Sequence, residues 1–127
     1  MAEASCERVI LIVEDDRDVR ESIVEVLQDS SYHVLDASNG KEALERLRGG
    51  ERPCLILLDA MMPVMNGWEF RAEQQQDQEL SAIPVVVLSA HASAEETART
   101  MGVAGYLKKP VRLERLLATV KRYCEGA

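Results

Sequence analysis

Several things are missing from this sequence, and each absence narrows what it can be. No apolar run approaches the roughly 20 residues that span a bilayer. The start, Met1-Ala2-Glu3-Ala4-Ser5-Cys6-Glu7, has neither the basic region nor the apolar stretch of a secretion signal. A cytoplasmic protein with no membrane partner is expected. Positive charge is in deficit: 15 lysines and arginines face 22 aspartates and glutamates, for a net charge of −7. No general field attracts nucleic acid phosphates, so a nucleic acid partner is not expected either. Cysteine is scarce, and Cys6, Cys54 and Cys124 show neither a C-x-x-C metal spacing nor the even count of a disulfide framework. Reduced thiols are expected, and Cys54, which opens an apolar run, reads as a small core residue.

What is present suits one compact domain. The 127 residues accommodate a single core and leave no room for a second folded output domain, with residues 1–7 read as a flexible N-terminal extension. Short apolar runs without a polar alternate recur at Val9–Val13, Cys54–Leu58 and Val85–Leu88, the pattern of strands buried on both faces. Two weaker runs, Tyr32–Leu35 and Ala104–Leu107, suit the edges of the same sheet. Between them, helical spacing relates Val19, Ile23, Val26 and Leu27, then Ala43, Leu44 and Leu47, and finally Leu113, Leu116, Leu117 and Val120. Another helix is expected from Ser93 to Met101, with Ser93 and Glu96 as a capping box and Gly102 as its terminator. The stretch from Gly67 to Leu80 has helix formers but little apolar stripe, which predicts a helix with a solvated second half and Trp68 packed at its start. Strand and helix alternate five times, the order of a doubly wound α/β domain with a parallel sheet.

In such a sheet, ligands bind beyond the carboxyl ends of the strands. The first strand ends in Glu14-Asp15-Asp16, the third in Asp59, the fourth in Ser89 and the fifth in Lys108-Lys109-Pro110. Carboxylates from two strands meeting about 5 Å apart repel by roughly 3 kcal/mol at an effective dielectric near 20. A hard divalent cation offsets that repulsion, and an oxygen-only donor set points to Mg²⁺. Ser89 and Lys109 offer a hydroxyl and an ammonium suited to a phosphoryl oxygen, and Asp59 a carboxylate nucleophile that forms an acyl phosphate. Asp16 reads instead as a helix cap. His33 and His91 are isolated and carry no ligand role.

Four ordered segments, Ile10–Asp16, Leu58–Gly67, Val87–Ala90 and Gly105–Pro110, resemble the receiver domain of bacterial response regulators over nearly the whole chain. The resemblance implies a flavodoxin-like doubly wound five-stranded parallel sheet, order 2-1-3-4-5, with five helices. It implies that Asp59 is the phosphoacceptor, and that Glu14, Asp15, Asp59 and the Met61 backbone carbonyl hold Mg²⁺, with Mn²⁺ as an alternative. Ser89, the Ala90 backbone and Lys109 would contact the phosphoryl group. Ser89 and Tyr106 would form the switch, and a cis bond at Pro110 would aim Lys109 into the site. The implied partners are a histidine kinase or phosphotransfer protein, which donates the phosphate, and a downstream protein that reads the face built from the fourth helix, fifth strand and fifth helix. A stand-alone domain follows, catalysing only its own phosphorylation and dephosphorylation, monomeric or weakly dimeric when phosphorylated.

The sequence departs from the family pattern in small ways. Met61 stands where the family often has a polar side chain, and His91 is at a variable position; both flank the phosphoacceptor and bear on the rate of phosphate loss. Glu14 for aspartate and Ser89 for threonine are common alternatives. Two other readings compete. A haloacid-dehalogenase-like phosphatase resembles a D-x-D pattern, whereas Asp59 is followed by Ala60-Met61. A docking module that ignores phosphorylation would have no need to hold repelling carboxylates together.

Overall fold

The computed structural model describes residues 8–90 and 94–125; the N-terminal extension, His91 and the Ser93 cap lie outside them. The five apolar runs become five strands: β1 (Val9–Val13), β2 (His33–Ala37), β3 (Leu55–Asp59), β4 (Val85–Ser89) and β5 (Gly105–Lys108). They pair in parallel in the order β2-β1-β3-β4-β5. The three runs without polar alternates lie at the centre, where β3 and β4 are buried throughout, while the mixed runs form the half-exposed edges. Burial on both faces is what removes the alternation from a central parallel strand.

Five helices cover the two faces: α1 (Arg17–Asp29), α2 (Gly40–Arg48), α3 (Gly67–Gln75), α4 (Ala94–Met101) and α5 (Leu113–Glu125). Ile23 and Leu27 of α1 and Leu116 and Val120 of α5 pack with Ile10, Ile12, Leu57 and Leu88 in one layer. On the other face Leu44 and Leu47 of α2, Phe70 of α3 and Ala98 and Met101 of α4 pack with Leu11, Val13, Ile56 and Leu58. Helices on both faces are the doubly wound arrangement, in which every helix starts at the carboxyl end of the sheet. Local chemistry fixes those starts. Asp16 accepts a hydrogen bond from the Val19 N–H at 3.1 Å, Asn39 caps α2, and Asn66 forms a reciprocal capping box with Glu69. Gly102, at φ +69°, closes α4 by a left-handed turn.

Three expectations are corrected here. The helix expected over 67–80 ends at Gln75 and is followed by a separate 3₁₀ turn at Leu80–Ala82. Its second half is not simply solvated, because the Gln74 side chain is buried and donates from Nε2 to the carbonyls of Leu80 (2.8 Å) and Ile83 (3.1 Å). That amide satisfies backbone acceptors left over where the chain turns into β4, a role no apolar periodicity announces. Trp68 is 40% exposed, and Phe70, two residues on, supplies the packing. Finally, Cys54 and Cys124 are not reduced core thiols but a disulfide, with Cα atoms 5.3 Å apart. A sequence separation of 70 hides the pair in the sequence; β3 and α5 bring it together at the margin of the core. Closing a loop of that length stabilises the folded chain by about 4 kcal/mol in the chain-entropy account.

Gln74→Ala should lower stability by about 2–4 kcal/mol, since it removes two buried hydrogen bonds, leaves the Ile83 carbonyl without the amide and opens a cavity. Gln76→Ala, at an exposed position of the same run, should stay within about 0.5 kcal/mol of the parent. Urea denaturation of the two variants reads the difference, and equal effects would show that the Gln74 amide carries no special weight.

Candidate functional site

Strand register places the chemistry. Val13 pairs with Leu58, so Glu14, the next residue, leaves β1 beside Asp59 at the end of β3. Asp59 pairs with Leu88 and Ser89 with Lys108, which brings Lys109 to the same edge of the sheet. Backbone hydrogen bonds hold these ends beyond the ladders: Glu14 N–H to Ala37 O at 3.1 Å, Ala60 N–H to Leu88 O at 3.2 Å and Lys109 N–H to Ser89 O at 2.9 Å. The Lys109–Pro110 peptide bond is cis. Gly67 begins α3 against this loop: a Cβ there would stand 3.0 Å from the Ala60 Cα, so only glycine admits the approach.

The result is a sunken acidic group with an amine inside it. Glu14 is 0% exposed, Asp59 5% and Ser89 3%. The Lys109 Nζ lies 2.7 Å from Glu14 Oε1 and 3.4 Å from Asp59 Oδ1. Glu14 Oε2 accepts from the Asp16 N–H at 3.1 Å, and Asp59 Oδ1 from the Met61 N–H at 3.2 Å. Glu14 Oε1 is buried and meets the Lys109 ammonium at 2.7 Å. Burial first, then the Glu14 carboxylate, pushes Asp59 up to about 7, with Lys109 and the Met61 N–H pulling the other way. Burial works to discharge Lys109, but the two carboxylates outweigh it and hold the ammonium above the ordinary lysine value.

Glu14, Asp15 and Asp59 each offer a carboxylate oxygen, and these oxygens lie within 4.8 Å of one another. Asp15 is the exposed member of the three. An all-oxygen set of three converging carboxylates fits a hard divalent cation. Of the other predicted residues, Ser89 stands at the same strand ends, and Ala90 and Met61 are exposed beside it. Tyr106 is apart from this group: its ring is 39% exposed, over a recess of about 300 Å³ lined with Leu107, Lys108, Pro110, Arg112 and Arg115. One contributor is absent from the sequence reading altogether. Arg20 of α1 donates from Nη1 to the Glu14 carbonyl at 2.7 Å while its Nε lies 3.3 Å from Asp36, so it fixes the turn that presents Glu14 and Asp15. No local motif marks such a contact.

Comparison with known proteins agrees with this geometry. The family described as response regulator receiver domain matches residues 10–121. The chain belongs to the response regulator receiver family. It is 34% identical over 120 residues to the polar-differentiation response regulator DivK of Brucella anthropi, covering 93% of this chain and 97% of that one. The chemotaxis protein CheY4 of Vibrio cholerae superposes with a TM-score of 0.81 at 34% identity, covering 91% of this chain and 98% of that structure. The receiver domain of the sensor histidine kinase PA1611 of Pseudomonas aeruginosa, solved with a magnesium ion in its active-site cleft, superposes at 0.84 with 26% identity, covering 94% and 98%. Against other curated relatives at 39% identity the chain spans only about half their length, 55% and 48% in two cases. The resemblance read from the four motifs, with its flavodoxin-like sheet order, is therefore borne out, and the protein is a receiver domain of two-component signalling. Receiver domains bind Mg²⁺ through acidic residues, and the acidic group at the head of β1 and β3 is such a set. Among the described residues no helix is long and apolar enough to cross a membrane.

The raised Asp59 has a consequence for stability. Between the unfolded value near 4 and the folded value of about 7, the folded state binds more protons than the unfolded one, so stability falls as pH rises through that window. Asp59→Asn removes this loss. In metal-free buffer the variant should exceed the parent by about 1–3 kcal/mol at pH 8 and match it at pH 4. Denaturant midpoints at the two pH values decide it, and a variant weaker than the parent at pH 8 would contradict the electrostatic account.

Proposed function

We propose that this domain accepts a phosphoryl group on Asp59, from a histidine kinase or phosphotransfer protein in the cytoplasm, and answers by changing the face formed by α4, β5 and α5 for a downstream protein. The observation that carries this reading is the approach of Lys109 to two buried carboxylates, Glu14 and Asp59, at the carboxyl end of a parallel sheet.

In this scheme Asp59 is the nucleophile. One carboxylate oxygen attacks the phosphorus of a phosphohistidine, the P–N bond breaks, and the imidazole leaves, taking a proton from solvent. A divalent cation, Mg²⁺ or alternatively Mn²⁺, held by Glu14, Asp15, Asp59 and the Met61 carbonyl, would neutralise charge on the phosphoryl oxygens. Lys109 already lies within reach of Asp59 and offers an ammonium to the transferred group, beside the Ser89 hydroxyl and the Ala90 backbone. Low solvent access strengthens each of these interactions. Activity on any other substrate is not part of the reading; the chain acts on its own aspartate.

For the response, Ser89 and Tyr106 form the pair that moves. Ser89 lies on β4 opposite Lys108, and Tyr106 on β5 opposite Val87, so the two stand on adjacent strands with Tyr106 set back from the site. Attraction of the Ser89 hydroxyl to the phosphoryl group would vacate room for the exposed Tyr106 ring, a contact available in only one of two states. DivK and CheY4 are response regulators in name, and the magnesium ion in the PA1611 structure occupies the corresponding kind of cleft; these likenesses support the reading.

Incubation with Mg²⁺ and acetyl phosphate should produce one labile phosphate per chain, absent in Asp59→Asn and in chelator. Phosphate-affinity electrophoresis and mass spectrometry of the intact protein read it, and a folded, metal-loaded protein that stays unlabelled defeats the proposal. Asp15→Asn should weaken Mg²⁺ binding about tenfold or more, one carboxylate's share of a three-carboxylate set, as followed by the fluorescence of Trp68. An unchanged midpoint would remove Asp15 from the metal set.

A further inference from the structure

The Cys54–Cys124 disulfide stands at the opposite end of β3 from Asp59, about 16 Å along the strand. Cys54 leads into that strand, and Cys124 belongs to the last turn of α5. Both residues are only partly buried, at the margin of the core. The bond therefore ties the far end of a helix that packs through Leu116 and Val120 to the central strand of the sheet.

The other restraints on that turn are a few polar contacts and the packing of Tyr123 against the core. The Tyr32 Oη donates to Glu125 Oε2 at 2.5 Å, Arg8 pairs with the same carboxylate at 3.1 Å, and Tyr123 Oη reaches the Ala104 carbonyl at 3.4 Å. Glu125 is exposed, and the last buried apolar residue of α5 is Val120. Beyond Val120 the helix is held by part-buried contacts at the margin of the core, where local opening costs less than in the helix body, and the covalent tie adds to them. Disulfides in a cytosolic protein face a pool of reducing thiols, and those that form there are usually transient and redox-sensing.

We propose that Cys54 and Cys124 form a reversible thiol–disulfide site, closed by a low-molecular-weight disulfide of the glutathione type, that fastens the last turn of α5 to the sheet when oxidised and frees it when reduced. Closure begins when one cysteine thiolate attacks the oxidant's S–S bond, displacing one thiol and leaving a mixed disulfide. The second cysteine then attacks the protein-bound sulfur and releases the other thiol. In sum the protein gives up two electrons and two protons, and the oxidant leaves as two thiols. The cytoplasmic setting and the weight given to α5 rest on the function proposed above; the pairing of the sulfurs rests on the fold alone.

The test uses the full chain with Cys6→Ala, so that thiol counts refer to the pair. The protein is equilibrated in glutathione buffers of graded ratio at pH 7, alkylated with a maleimide and weighed. Species with zero and two modified thiols should interconvert in a single two-electron transition. Amide exchange over residues 121–125 should be about tenfold slower in the oxidised form or more, and Cys124→Ser should abolish the contrast between buffers. A dominant singly modified or glutathione-adducted species, a bond that survives the most reducing buffer, or exchange that ignores oxidation would each overturn the site. Acetyl phosphate labelling is run in parallel. Loss of Asp59 labelling with the thiol transition intact refutes the phosphoacceptor reading alone, and the converse refutes the thiol site alone.

Discussion

Two carboxylates with almost no access to water, and one ammonium between them, set the terms for everything at the carboxyl end of this sheet. Glu14 and Asp59 cannot both be ionised cheaply: at about 5 Å their repulsion is roughly 3 kcal/mol at an effective dielectric near 20, before desolvation is counted. Lys109, at 2.7 and 3.4 Å from the two, offsets a large part of that. With Asp15 included, three acids face one amine, so two negative charges are left over when all are ionised. A divalent cation cancels that excess, and a phosphoryl group then restores about the same amount of negative charge. Under the function proposed above, cation and phosphoryl group would each make the other easier to hold, with no need to protonate Asp59 or displace Lys109 once both are present.

That balance needs a scaffold able to force like charges together, and the scaffold is ordinary in its physics. Continuous apolar strands are buried on both faces, so their register cannot slip without moving side chains between two packed layers. The register in turn delivers Glu14, Asp59, Ser89 and Lys109 to one edge, because each directly follows or ends a strand of similar length. Gly67 lets α3 rest on the backbone of Asp59 and Ala60, and Arg20 pins the carbonyl of Glu14. Repulsion among the acids is small beside the burial of some thirty apolar side chains, which is why the fold tolerates it.

Local signals made most of this legible in the sequence. Val9–Val13, Leu55–Leu58 and Val85–Leu88 announce central strands by what they lack, and the acids after them announce a site by its position in an α/β sheet. Asp16 marks a helix start through chemistry confined to four residues. What escaped depends on contacts between distant segments. Gln74 looks like one more residue of a polar run until its amide is found under the turn at Leu80–Ile83. Arg20 is a helix residue like its neighbours until Glu14 folds back over it. Cys54 and Cys124 read as unrelated thiols because an odd cysteine count and a sequence separation of 70 give no hint of pairing. Periodicity encodes which face is buried; it does not encode which polar atom will meet which.

The long-range contacts also share a direction. Arg71 of α3 donates to the carbonyls of Met101 (3.3 Å) and Gly102 (2.6 Å), so it caps the C-terminal end of α4. The disulfide holds the C-terminal end of α5. Both helices that flank β5 are therefore fastened at the end remote from the acidic group, since helices in a doubly wound sheet begin where the strands finish. The opposite end of α5 begins three residues after Pro110, next to the segment that carries the site's amine, and is seated in the core through Leu116. Under the function proposed above, a change of charge at Asp59 would reach α5 through that near end.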